Sequence, residues 1–363
     1  MDQRLDARLR EIPPGGLHDL VTKISAIDEF KGWWEGRGLS DPSLLRHLKK
    51  RTVEISAAAS LRIGGSDRPH MEVRGRLGNG VRNREVPDAA HRTGYAELLR
   101  AIFNDHRELC FGQDLILQFH ATLLKYSHAG QAHRGKYKMT SDTARSYLCR
   151  KMESPALRST DPDLTPRAMT VATEWARTRL ASTNFHPLLV IAGFVLELLA
   201  IRPFVNGNGR VSRILTNFLL LQYGYTFVPY ASLENVIADR WPEYYLALRQ
   251  SQAHAHLPRP DITPWLAAFL DAIRMQTRDL RAAIEWRPDA SLLSENQLGV
   301  LNLLERNAEV TNRLVCSELD IPKDTAKQVL NRLLALNFVR RVGSGRAVRY
   351  RKAPLQDEGG KVK

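Results

Sequence analysis

The sequence is poor in the features that mark secreted and membrane proteins. It has three cysteines, Cys110, Cys149 and Cys316, and their number and wide spacing argue against a disulfide framework or a metal site. The most apolar stretch, residues 187–200, is too short to span a bilayer and contains Glu197. The N-terminal residues are charged and lack the apolar core of a signal peptide. We therefore expect a cytoplasmic protein with reduced thiols and no membrane partner.

Acidic residues are also in short supply. The chain has 39 Asp and Glu against 53 Lys and Arg, which gives a net charge of +14. This excess favours an anionic partner such as a nucleotide or a nucleic acid, and it carries no information about the fold. Hydrophobic residues make up 43% of the 363 residues, so we expect a folded chain of two or three domains.

Alternating strand patterns are scarce, and helical periodicity dominates. It predicts helices over residues 18–30, 44–59, 95–106, 113–125 and 262–284. Residues 64–88 are rich in Gly and Arg and predict a loop. One short β-hairpin is predicted, with strands near residues 136–139 and 146–148. We therefore expect a mainly α fold class.

The most informative segment is residues 187–223. Its first part is apolar on nearly every face, which predicts a helix buried all round. It leads into the sequence RPFVNGNGR, and a second helical pattern follows. Gly207 and Gly209 allow backbone N–H groups to approach a ligand closely, and the start of a helix favours an anion.

Two arginines complete this predicted anion site. Arg210 and Arg213 lie one helical turn apart, and their guanidinium groups suit phosphate oxygens. The alternative is a simple helix–loop–helix corner with solvated arginines. The combination of buried helix, Pro-Phe pair, glycine loop and second arginine favours a nucleotide-phosphate site instead. Its predicted residues are Gly207, Asn208, Gly209, Arg210 and Arg213.

Residues 201–213, IRPFVNGNGRVSR, resemble the Fic family signature H-P-F-x-(D/E/N)-G-N-G-R-x-x-R. Further matches bring the resemblance to about residues 5–285; they are HRGKYK at 133–138, LTPRAM at 164–169, HPLLVIAGF at 186–194, VPYASLENVI at 228–237 and EYYLALRQSQ at 243–252. The resemblance implies a Fic-fold helical core with a β-hairpin flap that docks a target protein. It also implies transfer of AMP from ATP to a target hydroxyl, with Mg²⁺ bound.

Two positions of the motif depart from the family pattern. Arg202 stands in place of the histidine that acts as general base, and a guanidinium keeps its proton at physiological pH. Loss of a general base typically costs about 10²–10⁴-fold in rate. Asn206 stands where Fic proteins commonly have the acid that holds Mg²⁺, and a neutral oxygen binds that ion more weakly.

We therefore expect an ATP-binding protein with impaired adenylyltransferase activity. The alternative is an active, divergent adenylyl or phosphate-group transferase that uses another base. His128, His133 and His186 are near in sequence, but His186 matches a helix-start position where a histidine serves as a cap.

Two further regions resemble the family with changes. Residues 60–65, SLRIGG, resemble the inhibitory pattern (S/T)-x-x-x-E-(G/N), starting at Ser60, with Gly64 at the glutamate position and Gly65 after it. We expect the inhibitory function to be absent; the alternative is a helix that ends in a glycine cap. Arg240, where the family usually has Asn, and Tyr244 resemble the region near the adenine.

The C-terminal segment predicts a winged helix-turn-helix. Ser294 and Thr311 are placed as helix N-caps, and Pro322 starts a third helix. Two basic strands follow, around a glycine-rich tip. Double-stranded DNA is the partner that we expect, contacted by Lys323, Lys327, Gln328, Arg346 and Arg349. The alternative is a protein-docking or homodimer module.

These predictions divide the chain into four parts: an N-terminal helical region at 1–90, a Fic core at 91–287, a winged helix at 288–353 and a charged tail at 354–363. Two regulatory roles follow from this division. Either the winged helix mediates regulation by an impaired Fic protein, or the chain is a DNA-binding regulator whose Fic core serves as nucleotide sensor or scaffold.

Overall fold

A computed structural model gives the architecture of most of the chain. It describes residues 2–37, 42–63, 85–140, 159–254, 260–285, 293–335, 338–343 and 348–352. The chain divides into two compact units, Met1–Arg281 and Ala282–Lys363. Each unit is considered by itself below.

The first unit is helical throughout its described residues. Its α-helices are α1 (Asp2–Arg10), α2 (Pro14–Gly36), α3 (Pro42–Ile63), α4 (Glu85–Asp105), α5 (Gln113–Leu123), α6 (Thr165–Leu180), α7 (Pro187–Ile201), α8 (Asn208–Gln222), α9 (Leu233–Asp239), α10 (Trp241–Ala253) and α11 (Thr263–Glu285). Short 3₁₀ helices occur at His128–His133, Pro162–Leu164 and Val228–Tyr230. The mainly α fold class predicted from periodicity is confirmed.

Helix α7 is the centre of this unit, and it packs against α6, α8 and α10. Gly193 permits close packing, because a Cβ atom there would lie 3.1 Å from the Trp175 ring. The polar exception on this apolar helix is Glu197, which accepts a 3.0 Å hydrogen bond from Arg8 of α1. The pairing offsets the cost of placing a carboxylate on a buried helix.

Two sequence predictions need correction. Helix α4 begins at Glu85, so the loop predicted over residues 64–88 was too long; Glu85 and Pro87 are both favourable in a first helical turn. Residues 136–139 do not form a strand. Instead, Lys138 donates its backbone N–H to the Pro203 carbonyl (2.9 Å) and its Nζ to the Ile201 carbonyl (3.0 Å). The second predicted strand, residues 146–148, lies outside the described residues.

The second unit combines three helices with a small sheet. Helices α12 (Glu295–Arg306), α13 (Asn312–Leu319) and α14 (Lys323–Ala335) precede strands β1 (Val339–Val342) and β2 (Arg349–Lys352). The strands are antiparallel, with Val339 opposite Lys352. The helices enclose an apolar core that includes Val300, Val315, Leu330, Leu333, Phe338 and Tyr350.

Local sequence signals set the helix starts of this unit. Ser294 caps α12 in a reciprocal capping box with Gln297, and the Thr311 side chain accepts the Leu314 N–H at the start of α13. Both predicted caps are confirmed. Strand β2 begins at Arg349, and residues 344–347 of the predicted tip lie outside the described residues.

Candidate anion site at the start of helix α8

The loop between α7 and α8 is closed by its own residues. Asn208 is buried, and its amide makes two hydrogen bonds to the backbone of Phe204: Oδ1 accepts the Phe204 N–H (2.9 Å) and Nδ2 donates to the Phe204 carbonyl (2.7 Å). The side chain of this predicted ligand residue therefore shapes the loop from within. The group of Asn208 that can contact a ligand is its backbone N–H, in the first turn of α8.

Left-handed backbone at both ends of the loop makes the turn. Arg202 follows α7 with φ 51° and ψ 64°, and Gly207 precedes α8 with φ 79°. Glycine suits the second position for a further reason, because a Cβ there would lie 3.3 Å from Leu123 Cδ2. The backbone N–H groups at the start of α8 are those that no carbonyl of the helix satisfies.

Both predicted arginine clamps fold back toward this first turn. Arg210 Nη2 lies 3.8 Å from where a Cβ on Gly207 would be, and Arg213 Nη1 lies 3.4 Å from the equivalent point on Gly209. Arg213 is 7% exposed. Its Nη2 donates to the Ser60 Oγ (2.8 Å) and carbonyl (3.2 Å). The structure therefore brings Arg210, Arg213 and the last turn of α3 together; Gly64 and Gly65 lie outside the described residues.

Asn206 is the predicted metal ligand of the loop. Its Oδ1 is buried and makes no hydrogen bond to the described residues, whereas its Nδ2 lies 3.2 Å from His133 Nε2. An amide oxygen in this state fits a hard cation that takes its other ligands from phosphate and water. Within the described part of the chain, no group of three or more His, Cys, Asp or Glu side chains forms a protein-only metal site.

His120 belongs to the site, and the sequence reasoning missed it. It is fully buried, stacks on Phe204 with ring centroids 3.8 Å apart, and accepts the Gly135 N–H at Nδ1 (3.0 Å). Burial lowers the pKa of His120 to about 4; a hydrogen bond to the Asn206 backbone opposes this, and the positive charge of Arg210 acts with the burial. The available signal was a polar residue on the apolar face of α5, in helical register with Ile116 and Leu123.

Only part of the proposed set of alternative bases lies near the loop. His186 caps α7, with Nδ1 accepting the Leu188 N–H (3.3 Å) and Nε2 2.9 Å from Asp28 Oδ2. Its structural interpretation therefore agrees with the geometry. His133, by contrast, lies against the side chain of Asn206.

Fic/DOC family similarity coincides with this geometry. The family model matches residues 110–220, which contain α5 to α8 and the whole loop. Residues 110–220 therefore form a Fic/DOC family domain. A Fido domain-containing protein of Dictyostelium discoideum is 37% identical over 68 residues, 19% of this chain and 43% of the relative. The chain thus spans less than half the length of that curated relative.

Solved structures of Fic proteins are similar to this chain in fold. A Fic family protein from Desulfovibrio desulfuricans is similar with a TM-score of 0.56 and 19% identity, over 96% of this chain and 98% of that one. A Fic domain-containing signaling protein from Bacteroides thetaiotaomicron has a TM-score of 0.56 and 18% identity, over 72% and 99%. Fic-1 from C. elegans has a TM-score of 0.54 and 17% identity, over 74% and 73%. At these identities the likeness shows the fold alone.

The weaker nucleotide assignments differ in their placement. Burial raises the pKa of Tyr244, and the positive charge of Arg213 opposes that rise. Arg240 is exposed, at the junction of α9 and α10. Both assignments to the adenine region stay predictions.

The predicted DNA-contacting residues lie on the second unit. Lys323, Lys327 and Gln328 are exposed on α14. Arg349 lies 3.6 Å from Glu309, which also pairs with Arg351. Arg346 lies outside the described residues. No helix among the described residues is long and apolar enough to span a bilayer.

Proposed function

We propose that the first unit binds the phosphates of a nucleotide, ATP in particular, at the start of α8. The observation that carries this proposal is the placement of Arg210 and Arg213 against the first turn of that helix. A helix start already has a partial positive charge, and two guanidinium groups beside it repel that charge. A bound phosphate removes the repulsion and accepts hydrogen bonds from the same groups.

A phosphate can replace Ser60 as the hydrogen-bond partner of the Arg213 guanidinium. Ser60 offers neutral oxygens, and hydrogen bonds between an arginine and a carboxylate or phosphate are about twice as strong as neutral ones. A phosphate therefore competes well for the guanidinium. Asn206 Oδ1 would supply an oxygen ligand to Mg²⁺ bound with the nucleotide.

We further propose that AMP transfer to a protein hydroxyl is impaired. Arg202 holds its proton and does not accept one from an attacking hydroxyl. His120 is neutral, but it is fully buried and its Nδ1 already accepts the Gly135 N–H. It does not take over the role of the base.

Calorimetric titration with ATP and Mg²⁺ tests the phosphate site. Arg210→Ala is expected to weaken binding about tenfold or more, since it removes a charge-assisted phosphate contact. Arg167→Ala is the matched control, because Arg167 is an exposed arginine of α6. Equal affinities for the two variants would refute the site.

A labelling experiment tests the impairment. The full chain and an Arg202→His variant are incubated with labelled ATP, Mg²⁺ and a cell lysate. Label transfer by the variant alone supports an intact site that lacks its base. Transfer by the unchanged chain supports the divergent transferase instead; because His133 is the imidazole beside Asn206, a His133→Ala variant would then lose that transfer.

A second candidate function is favoured by α14. Its outer side presents Lys323, Lys327 and Gln328, while Val329 and Leu330 face the core. An exposed polar helix with basic residues is the element that enters the DNA major groove in helix-turn-helix proteins. We propose that this unit binds double-stranded DNA as part of a regulatory role.

Mobility shift of a DNA fragment at several salt concentrations tests the second candidate. Combined Lys327→Glu and Arg346→Glu changes are expected to abolish a salt-sensitive shift. Arg306→Glu, an exposed position at the end of α12, is the control for a change in net charge. Binding that ignores the first pair of changes would exclude this surface.

A further inference from the structure

A buried carboxylate lies behind the anion site. Glu234 of α9 is 1% exposed, and its Oε1 accepts hydrogen bonds from Tyr95 Oη (2.7 Å) and Asn217 Nδ2 (2.8 Å). A buried carboxylate is costly unless a positive charge and hydrogen bonds compensate for the loss of water. The two hydrogen bonds supply one part of that compensation.

Arg213 is the cation connected to this carboxylate through hydrogen-bonded side chains. Asn217 Nδ2 donates both to Glu234 and to the Arg213 carbonyl (3.0 Å), so a single amide joins the two residues. The Tyr95 hydroxyl joins them on the other side. This hydroxyl donates to Glu234 Oε1 (2.7 Å). Burial raises the pKa of Tyr95, the charge of Glu234 raises it further, and the charge of Arg213 lowers it.

Ser60 closes the network. Its side chain accepts the Arg213 hydrogen bond and also interacts with the Tyr95 hydroxyl. Helices α3, α4, α8 and α9 thus each contribute one or two members to a continuous set of buried polar contacts. The guanidinium of Arg213 lies at the end of this set that is nearer to the start of α8.

We propose that Glu234 is a positioning residue for the nucleotide site: it neutralises Arg213 before a ligand binds and keeps the guanidinium against Ser60. This inference rests on the proposed phosphate site. An incoming phosphate must share Arg213 with a carboxylate of the same sign as its own charge. Glu234 therefore lowers the affinity for nucleotide while it stabilises the unliganded protein.

The Glu234→Gln variant of the full chain separates this role from a merely structural one. Glutamine keeps the size and an oxygen that accepts from Tyr95 and Asn217, and it removes the charge. We expect ATP to bind about three- to tenfold more tightly by calorimetry at low salt, with a smaller gain at high salt. The melting temperature without ATP is expected to fall, because Arg213 becomes a buried cation without its counter-charge. Unchanged or weaker ATP binding would overturn the inference.

Two controls make the result specific. Glu197→Gln removes a half-buried carboxylate that pairs with buried Arg8 on a different part of the unit, so it should lower stability and leave ATP affinity unchanged. Tyr95→Phe removes one hydrogen bond to Glu234 but keeps the charge, so ATP affinity should change less than in Glu234→Gln. If the unchanged chain does not bind ATP, both the proposed phosphate site and the role of Glu234 are refuted. If the unchanged chain binds ATP, the affinity of the Glu234→Gln variant tests the role of Glu234 alone.

A double-mutant cycle in thermal stability covers the case in which Glu234→Gln does not fold. Arg213→Gln, Glu234→Gln and the double variant are compared without ligand. If the two charges compensate each other, the double variant is more stable than the sum of the single effects implies. Additive losses, or a double variant that also fails to fold, would overturn the pairing.

Discussion

At the scale of single residues, Arg202 has two separate effects. Under the proposed function, its side chain lacks the proton-accepting capacity of a general base; independently of function, its backbone adopts φ 51°. For an L-residue other than glycine, the left-handed region costs about 1–2 kcal/mol. The same residue is therefore unfavourable for chemistry and mildly unfavourable for folding.

This conformation leads to a stability prediction. Arg202→Gly is expected to raise the free energy of unfolding of the first unit by about 0.5–1 kcal/mol, after allowance for the greater entropy of glycine in the unfolded chain. Urea unfolding followed by tryptophan fluorescence measures it. Arg202→Val is the contrasting variant, because a β-branched residue tolerates this conformation least, and it should be destabilised.

His120 leads to a prediction about pH. Its pKa is about 4 in the folded protein and about 6.5 for an unperturbed histidine, so between these pH values the unfolded state binds a proton that the folded state does not. Above pH 6.5 this residue adds no pH dependence. Between pH 6.5 and 4 it should lower the free energy of unfolding by up to about 1.4 kcal/mol per pH unit.

The comparison is between the unchanged chain and His120→Gln. The variant is expected to be less stable at pH 7 but to lose less stability between pH 6.5 and pH 4.5, measured by urea unfolding. Parallel losses in the two proteins would show that other groups cause the acid sensitivity.

At the scale of elements, the connection between α7 and α8 depends on Asn208. Asn208→Ala leaves the N–H and carbonyl of buried Phe204 without these partners, and each unsatisfied group costs about 1–3 kcal/mol. We expect a loss of about 2–4 kcal/mol in unfolding free energy, together with weaker ATP binding, because the loop relaxes. Ser212→Ala, which removes a 2.8 Å hydrogen bond to Gly209 within α8, should cost less than half as much.

Elements were predicted well where their signals are local. A stretch that is apolar on nearly every face located the buried helix α7, and the capping residues Ser294 and Thr311 located two helix starts. The short strand at residues 136–139 was predicted wrongly, because its backbone hydrogen bond goes to Pro203, far along the chain. Sequence periodicity contains no information about such a partner.

In the candidate site, too, residues with local sequence signals were predicted and residues placed by long-range contacts were not. The glycine loop and its arginines were predicted from the sequence, because they are close together along the chain and form a motif. His120 and Glu234 were not predicted, because tertiary contacts connect them to the loop. His120 stacks on Phe204, which is over 80 residues away in sequence. Glu234 is connected through its hydrogen bonds to Tyr95 and Asn217. Buried polar residues of this kind become interpretable only when their partners are known.

At the scale of the whole molecule, the two units have separate cores and the proposed ligand contacts only one. ATP at 100 times its dissociation constant should stabilise the first unit by about 2.7 kcal/mol, since binding adds to the free energy of unfolding. Differential scanning calorimetry of the full chain should show the transition of this unit moving to higher temperature. The transition of residues 282–363 should stay where it was.

The two hydrogen bonds between Asn208 and Phe204 have a consequence for the evolution of such a protein. The loop is closed by a side chain and a backbone that do not include the side chain of residue 202. Under the proposed function, exchange at that one position alters reactivity while the hydrogen bonds that close the loop persist. A lineage could then lose or regain transfer activity by a single substitution at residue 202 without rebuilding the fold.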